Sequence, residues 1–243
     1  MTDDSEGLYI ALFSIHGLIR GKDLELGRDA DTGGQILYVV ELARALACQP
    51  GVKRVELFTR QVIDPVLSSD YAEPIEELGN GARIVRIVAG DEGYIVKEQL
   101  WDHLDGMVDN LADYFRQQKT TPPLLHNHYA DAGYVASQLA HQFGITLVHT
   151  GHSLGRVKRS RLLASGLSVE DVEQRYNMSR RIEAEEQTLS AAERVITSTF
   201  QEIEEQYELY DHYQPEMMRV VPPGTDIQRF IPPQGDEFDN ELY

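Results

Sequence analysis

Short apolar runs rich in Val, Ile and Leu return along this chain at intervals that leave room for a helix between them, and this alternation narrows the fold more than any other feature. LYIALFS (8–14), VKRVELFTR (52–60), ARIVRIV (82–88), PLLHNHY (123–129), ITLVHT (145–150), RVITST (194–199) and MRVVP (218–222) read as strands. Stretches of helical period fall at 34–47, 97–117, 131–142, within 168–191 and at 200–208, with loops between. Strand and helix in alternation predict an α/β fold with one Rossmann-like, mostly parallel sheet and flanking helices. In 34–47, Ile36, Val40, Ala43 and Ala47 recur at helical spacing beside Val39, Leu42 and Leu46, a broad face for packing on a sheet. The end of the chain departs from the pattern: after four prolines within 222–233 come Asp236, Glu237, Asp239 and Glu241 with little periodicity. Residues 1–230 are therefore expected to form one domain and 231–243 an acidic linker or frayed terminus.

Composition excludes several function classes. With 40 acidic and 22 basic side chains the net charge is −18, which repels nucleic acid and anionic membrane as a whole. An anionic ligand must then be met by a local cationic cluster, and such a cluster can act because distant charges are screened beyond about 8 Å. The start, MTDDSEG, is acidic, and the apolar run LYIALF has only six residues, too few for a signal-peptide core or a membrane span. A single cysteine, Cys48, allows no internal disulfide and no thiolate metal cluster. A cytoplasmic protein is the expectation.

Four stretches carry chemistry. In Thr32-Gly33-Gly34-Gln35 a capping box accounts for Thr32 and Gln35 but not for two glycines, which weaken a helix while baring its backbone. An anion at that helix start is the competing reading. The pattern lacks the G-x-G-x-x-G spacing of dinucleotide-binding turns, and the loop over 15–32 is too long for one, which leaves a nicotinamide dehydrogenase a minor reading. Gly151-His152-Ser153-Leu154-Gly155 matches the G-x-S-x-G of a hydrolase nucleophile elbow. RVKRSRLL follows it, however, a poor helix to bury against a sheet, and His212 is the only histidine downstream for a triad. The stretch reads better as a phosphate site, with Ser153 donating beside Lys158, helped by Arg156 or Arg159; a solvated basic helix face is the plain alternative.

His126 and His128, two apart at a strand end, point to one face and could bind a metal with Asp131, but nothing completes a recognisable ligand set, so no metal is assigned. Tyr129 beside them could stack on or hydrogen-bond a sugar. In SRRIEAEE the two arginines open a helix against its dipole preference. Pairing of Arg181 with Glu185 explains one of them and leaves Arg180 for a ligand. Lys97, after the DEGYIV turn, is a further candidate cation.

Taken together, LFSIHGLIRG, RDADTGGQILYVVELARAL, HNHYADAG, TGHSLGRVKRSRL, SRRIEAEE and VVPPGTD resemble, in this order, the amino-terminal half of the sucrose-phosphate synthases, retaining glycosyltransferases of the GT-B fold, with sucrose synthase a close relative. The resemblance runs from Leu8 to about Pro233. It implies an amino-terminal GT-B domain that takes part in moving glucose from UDP-glucose to fructose 6-phosphate. Gly33 and Gly34 would lie by the donor diphosphate and glucose, and His152, the implied catalytic-site histidine, would contact that glucose. Gln35, Lys97, Tyr129, Ser153, Lys158, Arg180 and Arg181 would face the acceptor. Asn127 stands where a small residue is more usual. The implied partners are a sugar phosphate, a sugar nucleotide and a carboxy-terminal donor domain of some 200 residues beyond Tyr243, without which the chain would be inactive. No tightly bound cofactor is implied, and Mg2+ is not indicated by the sequence. A sucrose synthase-like transferase, a sugar-phosphate binding or regulatory module without catalysis and a serine hydrolase are the alternatives to be separated.

Overall fold

The computed structural model describes residues 7–118 and 120–224. They build an eight-stranded sheet in the order β3-β4-β2-β1-β5-β6-β7-β8. The strands are β1 (Leu8–Phe13), β2 (Val52–Arg60), β3 (Ile75–Gly79), β4 (Ala82–Ile87), β5 (Leu124–His128), β6 (Thr146–Thr150), β7 (Arg194–Thr197) and β8 (Met218–Val220). Every neighbouring pair is parallel except β3–β4.

Alternation along β1 shows why the sheet is covered on both faces. Ala11 and Phe13 pack with Met107 and Leu111 of α2 (Leu104–Gln117) and with Val135 and Leu139 of α3 (Ala130–Phe143). Ile10 and Leu12 turn the other way, onto Ile36, Val39, Val40 and Ala43 of α1 (Gly34–Ala47). A third cluster, with Leu189, Val195, Tyr207 and Met218, closes the β7–β8 end. The seven strands expected from the apolar runs are all present, within a few residues of their expected ends. No helix among the described residues is long and apolar enough to cross a membrane.

The structure departs from expectation at several places, each for a physical reason. Strand β3 lies outside the expected strands because IEELG has only two large apolar side chains, Ile75, which is exposed, and Leu78, which is partly buried. Its signal is the Gly79-Asn80-Gly81 turn: all three have positive φ, at 94°, 52° and 86°, which folds β3 back on β4 as an antiparallel hairpin. The helix expected over 97–117 starts later, as a 3-10 turn at Leu100–His103 before α2, since Asp31 takes the Lys97 amide at 3.0 Å and holds that stretch out of the helix. The basic run, outside the expected helices except as a solvated helix face, forms α4 (Gly155–Ala164); Arg, Lys, Leu and Ala all favour helix, and the helix needs little burial. The long stretch in 168–191 is two helices, α5 (Val169–Tyr176) and α6 (Met178–Ala191), broken by Asn177 in the left-handed region at φ 48°. The stretch near 200–208 holds a π-turn at Glu202–Gln206 and a 3-10 turn at Tyr207–Leu209.

The capping box at α1 does not form. Its N-cap is Gly33, with no side-chain cap. Thr32 is buried and faces backward, its hydroxyl accepting from the Leu18 amide at 3.2 Å, while the Asp29 carboxylate takes the amides of Asp31 and Thr32. Gln35 donates instead to Ser14 Oγ at 3.1 Å. The expected domain boundary and acidic tail at 231–243 lie outside the described residues.

Candidate active site at the sheet switch point

From β1 the chain runs outward to β2 on one side, and on the other side β1 neighbours β5. Strand order therefore reverses between β1 and β5, and the carboxyl ends of strands at such a reversal open a crevice for ligands. Ser14 and His16 leave β1 there, His128 and Tyr129 leave β5, and Gly151 to Ser153 leave β6.

The two strand ends are held in strained conformations. Tyr129 has φ 78° and His152 φ 57°, both unusual for residues with a side chain. Tyr129 is fixed by its amide donating to Thr150 O at 2.9 Å and by its carbonyl accepting from Gly133 N and Asn127 Nδ2. His152 Nε2 pairs with His128 Nδ1 at 3.0 Å, and the rings of His126 and His128 lie 4.3 Å apart. Burial and neighbouring histidines pull the pKa of His126 down to about 3 and that of His149 to about 3, and drive His128 well below its ordinary value. His152 keeps contact with solvent, yet packing around its ring and the nearby His16 lower it in the same direction. These imidazoles are neutral near pH 7. Asp131, the third ligand of the metal reading, is bonded to His16 Nδ1 at 2.8 Å, on a buried pair.

Cations gather on one side of the crevice. Lys97, Glu98, Trp101, Tyr129, Lys158, Tyr176 and Arg181 line a single cleft. Lys97 Nζ pairs with Asp31. Burial works to raise the Asp31 carboxyl, but the Lys97 ammonium and amide outweigh it and hold it below its usual value. Lys158 Nζ sits 4.5 Å from the centre of the Tyr176 ring and has no salt bridge among the described residues. Burial, then Arg181 and Lys97, lower its pKa. Arg181 is buried, stacks 4.5 Å over Tyr129, and binds Glu185 through Nε at 3.0 Å and the Ser153 carbonyl through Nη2 at 2.6 Å. Three positive groups, one of them without a carboxylate partner, thus border a narrow space of about 10 Å³ beside Glu98, which lies 3.7 Å from Lys97 Nζ, a concentration of positive charge that favours an anion at its mouth.

The pairing of Arg181 with Glu185 is present, and Arg180 has partners of its own. It binds Asp102 at 2.5 Å and the Trp101 carbonyl at 2.9 Å and is absent from the residues lining the cleft. Arg156 and Arg159 also turn elsewhere, onto a separate groove between α4 and α6, with Arg156 held by Glu186 and Asp211. Helical phase is the reason: 156 and 159 share one face of α4 and 158 lies on another.

Ser153 does not have the surroundings of a nucleophile. Its Oγ meets Arg181 Nη2 at 3.3 Å, and a guanidinium cannot act as base. His212, the histidine a triad would need, is bonded to Glu186 at 3.0 Å. The strained backbone falls at His152 rather than at the serine. Gly155 has a packing cause: a Cβ there would lie 2.6 Å from Glu185 Oε2, whose carboxylate takes the Gly155 amide.

Gly33 and Gly34 have no such cause. A Cβ at either would meet nothing within 4 Å, and neither has positive φ. The protein's own packing does not ask for glycine there, while the first amides of α1 have no acceptor within the helix. Sequence reasoning missed Asp31 and Tyr94, whose hydroxyl donates to Asp31 at 3.0 Å, and gave His16 no role of its own. The only local signal for His16 was its place just beyond a strand; Asp31 and Lys97 are 66 residues apart and carried none.

A mostly parallel sheet with helices on both faces and a cation-lined crevice at its switch point makes a Rossmann-like domain, and comparison with known proteins shows it to be a GT-B glycosyltransferase domain. A family model described as "Sucrose synthase first GT-B domain" matches residues 70–232. The chain is 43% identical to sucrose-phosphate synthase 4 of Arabidopsis thaliana over 98% of its length, and 44% identical to a probable sucrose-phosphate synthase of Solanum tuberosum over 94%. It spans 27% and 26% of those two proteins, about a quarter of their length. The solved sucrose-phosphate synthase of Thermosynechococcus elongatus superposes with a TM-score of 0.73 at 31% identity, over 93% of this chain and 50% of that one. Medicago truncatula UGT71G1, solved with UDP-glucose, shares the fold alone, at 11% identity and a TM-score of 0.56, over 100% of this chain and 57% of that one. The chain belongs to the sucrose-phosphate synthase family.

Proposed function

We propose that this chain is the acceptor-side domain of an enzyme that transfers glucose from UDP-glucose to fructose 6-phosphate, giving sucrose 6-phosphate with the anomeric configuration kept. The observation that carries the reading is the convergence of Lys97, Tyr129, Lys158 and Arg181 on one cleft at the switch point. Lys158, lacking a carboxylate partner among the described residues, takes the 6-phosphate; Arg181 and Lys97 add charge, and Tyr129 packs on the sugar. Ser153 adds a hydroxyl at the same end of β6. The bare α1 start at Gly33 and Gly34 faces the donor diphosphate, with Gln35 beside the acceptor and His152 beside the donor glucose.

Positioning and fixed charge do most of the catalytic work in such a transfer. The acceptor oxygen bonds to the anomeric carbon as the bond from that carbon to the UDP phosphate breaks, and the departing phosphate takes the acceptor proton. A donor-binding half must complete the site, so residues 1–243 by themselves turn over no substrate. Acceptor binding does not need that donor-binding half. Three or four charge-assisted hydrogen bonds of about 1.5 to 3 kcal/mol each, less the cost of ordering, predict roughly millimolar affinity. Calorimetric titration with fructose 6-phosphate and with fructose tests this: the phosphate ester binds and fructose does not. Equal binding of both would favour a sucrose synthase-like acceptor, and absence of both would end the proposal.

A further inference from the structure

At the opposite end of the sheet, among the amino ends of β1, β2, β4 and β5, lies a second cleft of about 570 Å³. Its inner wall is a buried charge cluster. Glu56 is fully buried, and its Oε1 accepts from Arg54 Nε at 2.9 Å, Arg83 Nε at 2.7 Å and Tyr114 OH at 3.0 Å, while Tyr9 OH bonds Oε2. Both guanidinium groups also direct Nη2 at the same Glu56 oxygen, and Arg54 stacks 4.6 Å from the Tyr9 ring centre.

One carboxylate therefore faces two guanidinium groups, and among the described residues neither arginine has a second carboxylate partner. A structural bridge from β2 to β4 needs one cation for one anion, yet Glu56 is shared by two guanidinium groups; with Lys53 and Glu77 also lining the cleft, its wall carries three cations and two carboxylates, in a chain of net charge −18. Both side chains are about one-quarter exposed, so they reach the cleft while remaining fixed by Glu56. Their Nη1 groups have no acceptor among the described residues. Two guanidinium groups held in place before binding lose little entropy when an oxyanion arrives, and planar N–H pairs match the edges of a phosphate. Thr120 and Thr121, both exposed, border the same space with hydroxyls. The cleft exceeds the size of inorganic phosphate and falls in the range of pockets for small organic ligands, about 300 to 1,000 Å³.

We propose that this cleft is a second anion site, separate from the crevice at the switch point, which takes the phosphate group of a small phosphorylated compound on Arg54 and Arg83. The test is an NMR titration of the isotope-labelled 243-residue chain carrying Lys158→Ala, so that the switch-point cleft is silenced. Inorganic phosphate and glycerol 3-phosphate are the titrants, with chloride at equal ionic strength as control. Both phosphates are expected to move the signals of Arg54, Arg83, Thr120 and Thr121 along one saturable, roughly millimolar curve, and the tighter of the two tells whether the free or the esterified anion is preferred. Arg83→Gln should weaken binding at least tenfold. Because that variant unbalances Glu56, Thr121→Glu, which sets a carboxylate on the exposed rim and leaves the cluster whole, is measured beside it and should weaken binding severalfold. Shifts that chloride reproduces, shifts that do not saturate, or an unchanged titration of Thr121→Glu would each overturn the proposal. These signals are distinct from those of Lys97, Tyr129 and Arg181, so the outcome is independent of acceptor binding at the switch point.

Discussion

Replacing Gly34 by alanine should make the protein more stable and the enzyme worse, a combination that separates a glycine kept for packing from one kept for a ligand. Gly34 is the first residue of α1, and a Cβ there meets nothing within 4 Å. Its backbone is not in the left-handed region, so alanine fits without strain. Alanine is better than glycine in a helix by up to about 1 kcal/mol, with less expected at the first position, so a gain of about 0.5 kcal/mol is reasonable. At an unfolding entropy near 2.1 cal/mol/K per residue, that moves the melting temperature of a chain this size up by about 1 °C. The same methyl stands in the space assigned to the donor diphosphate, where a loss of one or two backbone contacts of about 1.5 to 3 kcal/mol each lowers kcat/KM by roughly tenfold or more. Urea unfolding of Gly34→Ala gives the first quantity, and glucosyl transfer by the complete two-domain enzyme gives the second. A clear loss of stability would show that the glycine serves the fold; unchanged transfer kinetics would show that no ligand approaches α1 there.

Three further outcomes follow from the geometry. Lys158→Ala, measured by calorimetry, should weaken fructose 6-phosphate binding by roughly 10- to 100-fold with no change in far-ultraviolet circular dichroism, the loss of one charge-assisted contact of about 1.5 to 3 kcal/mol. Stability should fall as pH drops below about 6.5, because an unfolded histidine takes up a proton there while the buried ones, held down to about 3 for His149, refuse it. For His149 alone the loss is about 2 kcal/mol at pH 5 and nil above pH 7, so urea midpoints that stay flat from pH 7.5 to 5 would contradict the assignment. Gly155→Ala drives a methyl to 2.6 Å from Glu185 Oε2 and should cost about 1 to 3 kcal/mol in urea unfolding, while also weakening the acceptor site through the Glu185–Arg181 pair.

The legible part of the fold lies where the signal is local. The run LYIALFS becomes a strand because its apolar residues suit both faces of a covered sheet, and ILYVVELARAL becomes a helix because one face repeats every three or four residues. The edge strand β3 escaped for the opposite reason: it has little to bury, and its Gly79-Asn80-Gly81 turn was the signal to read. The capping box failed although its spacing was right, since Ser14 and Leu18 bring better partners to Gln35 and Thr32 than the helix end offers. That competition involves residues 14 and 21 positions away, beyond the reach of a four-residue pattern.

The candidate site divides in the same way. The sequence by itself determined the order of strands and helices, the places where glycines and cations interrupt that order, and a resemblance strong enough to name the family, because all of these reside in short windows of residue type and spacing. The tertiary structure alone decided which cations share a cleft. Arg181 turns inward onto Tyr129 and Arg180 outward onto Asp102, and Lys158 joins Lys97 while Arg156 and Arg159 face another groove. A helix turns each successive side chain by about 100°, so adjacent charges in sequence look in different directions, and only the packing of α4 and α6 against the sheet settles which direction is the crevice.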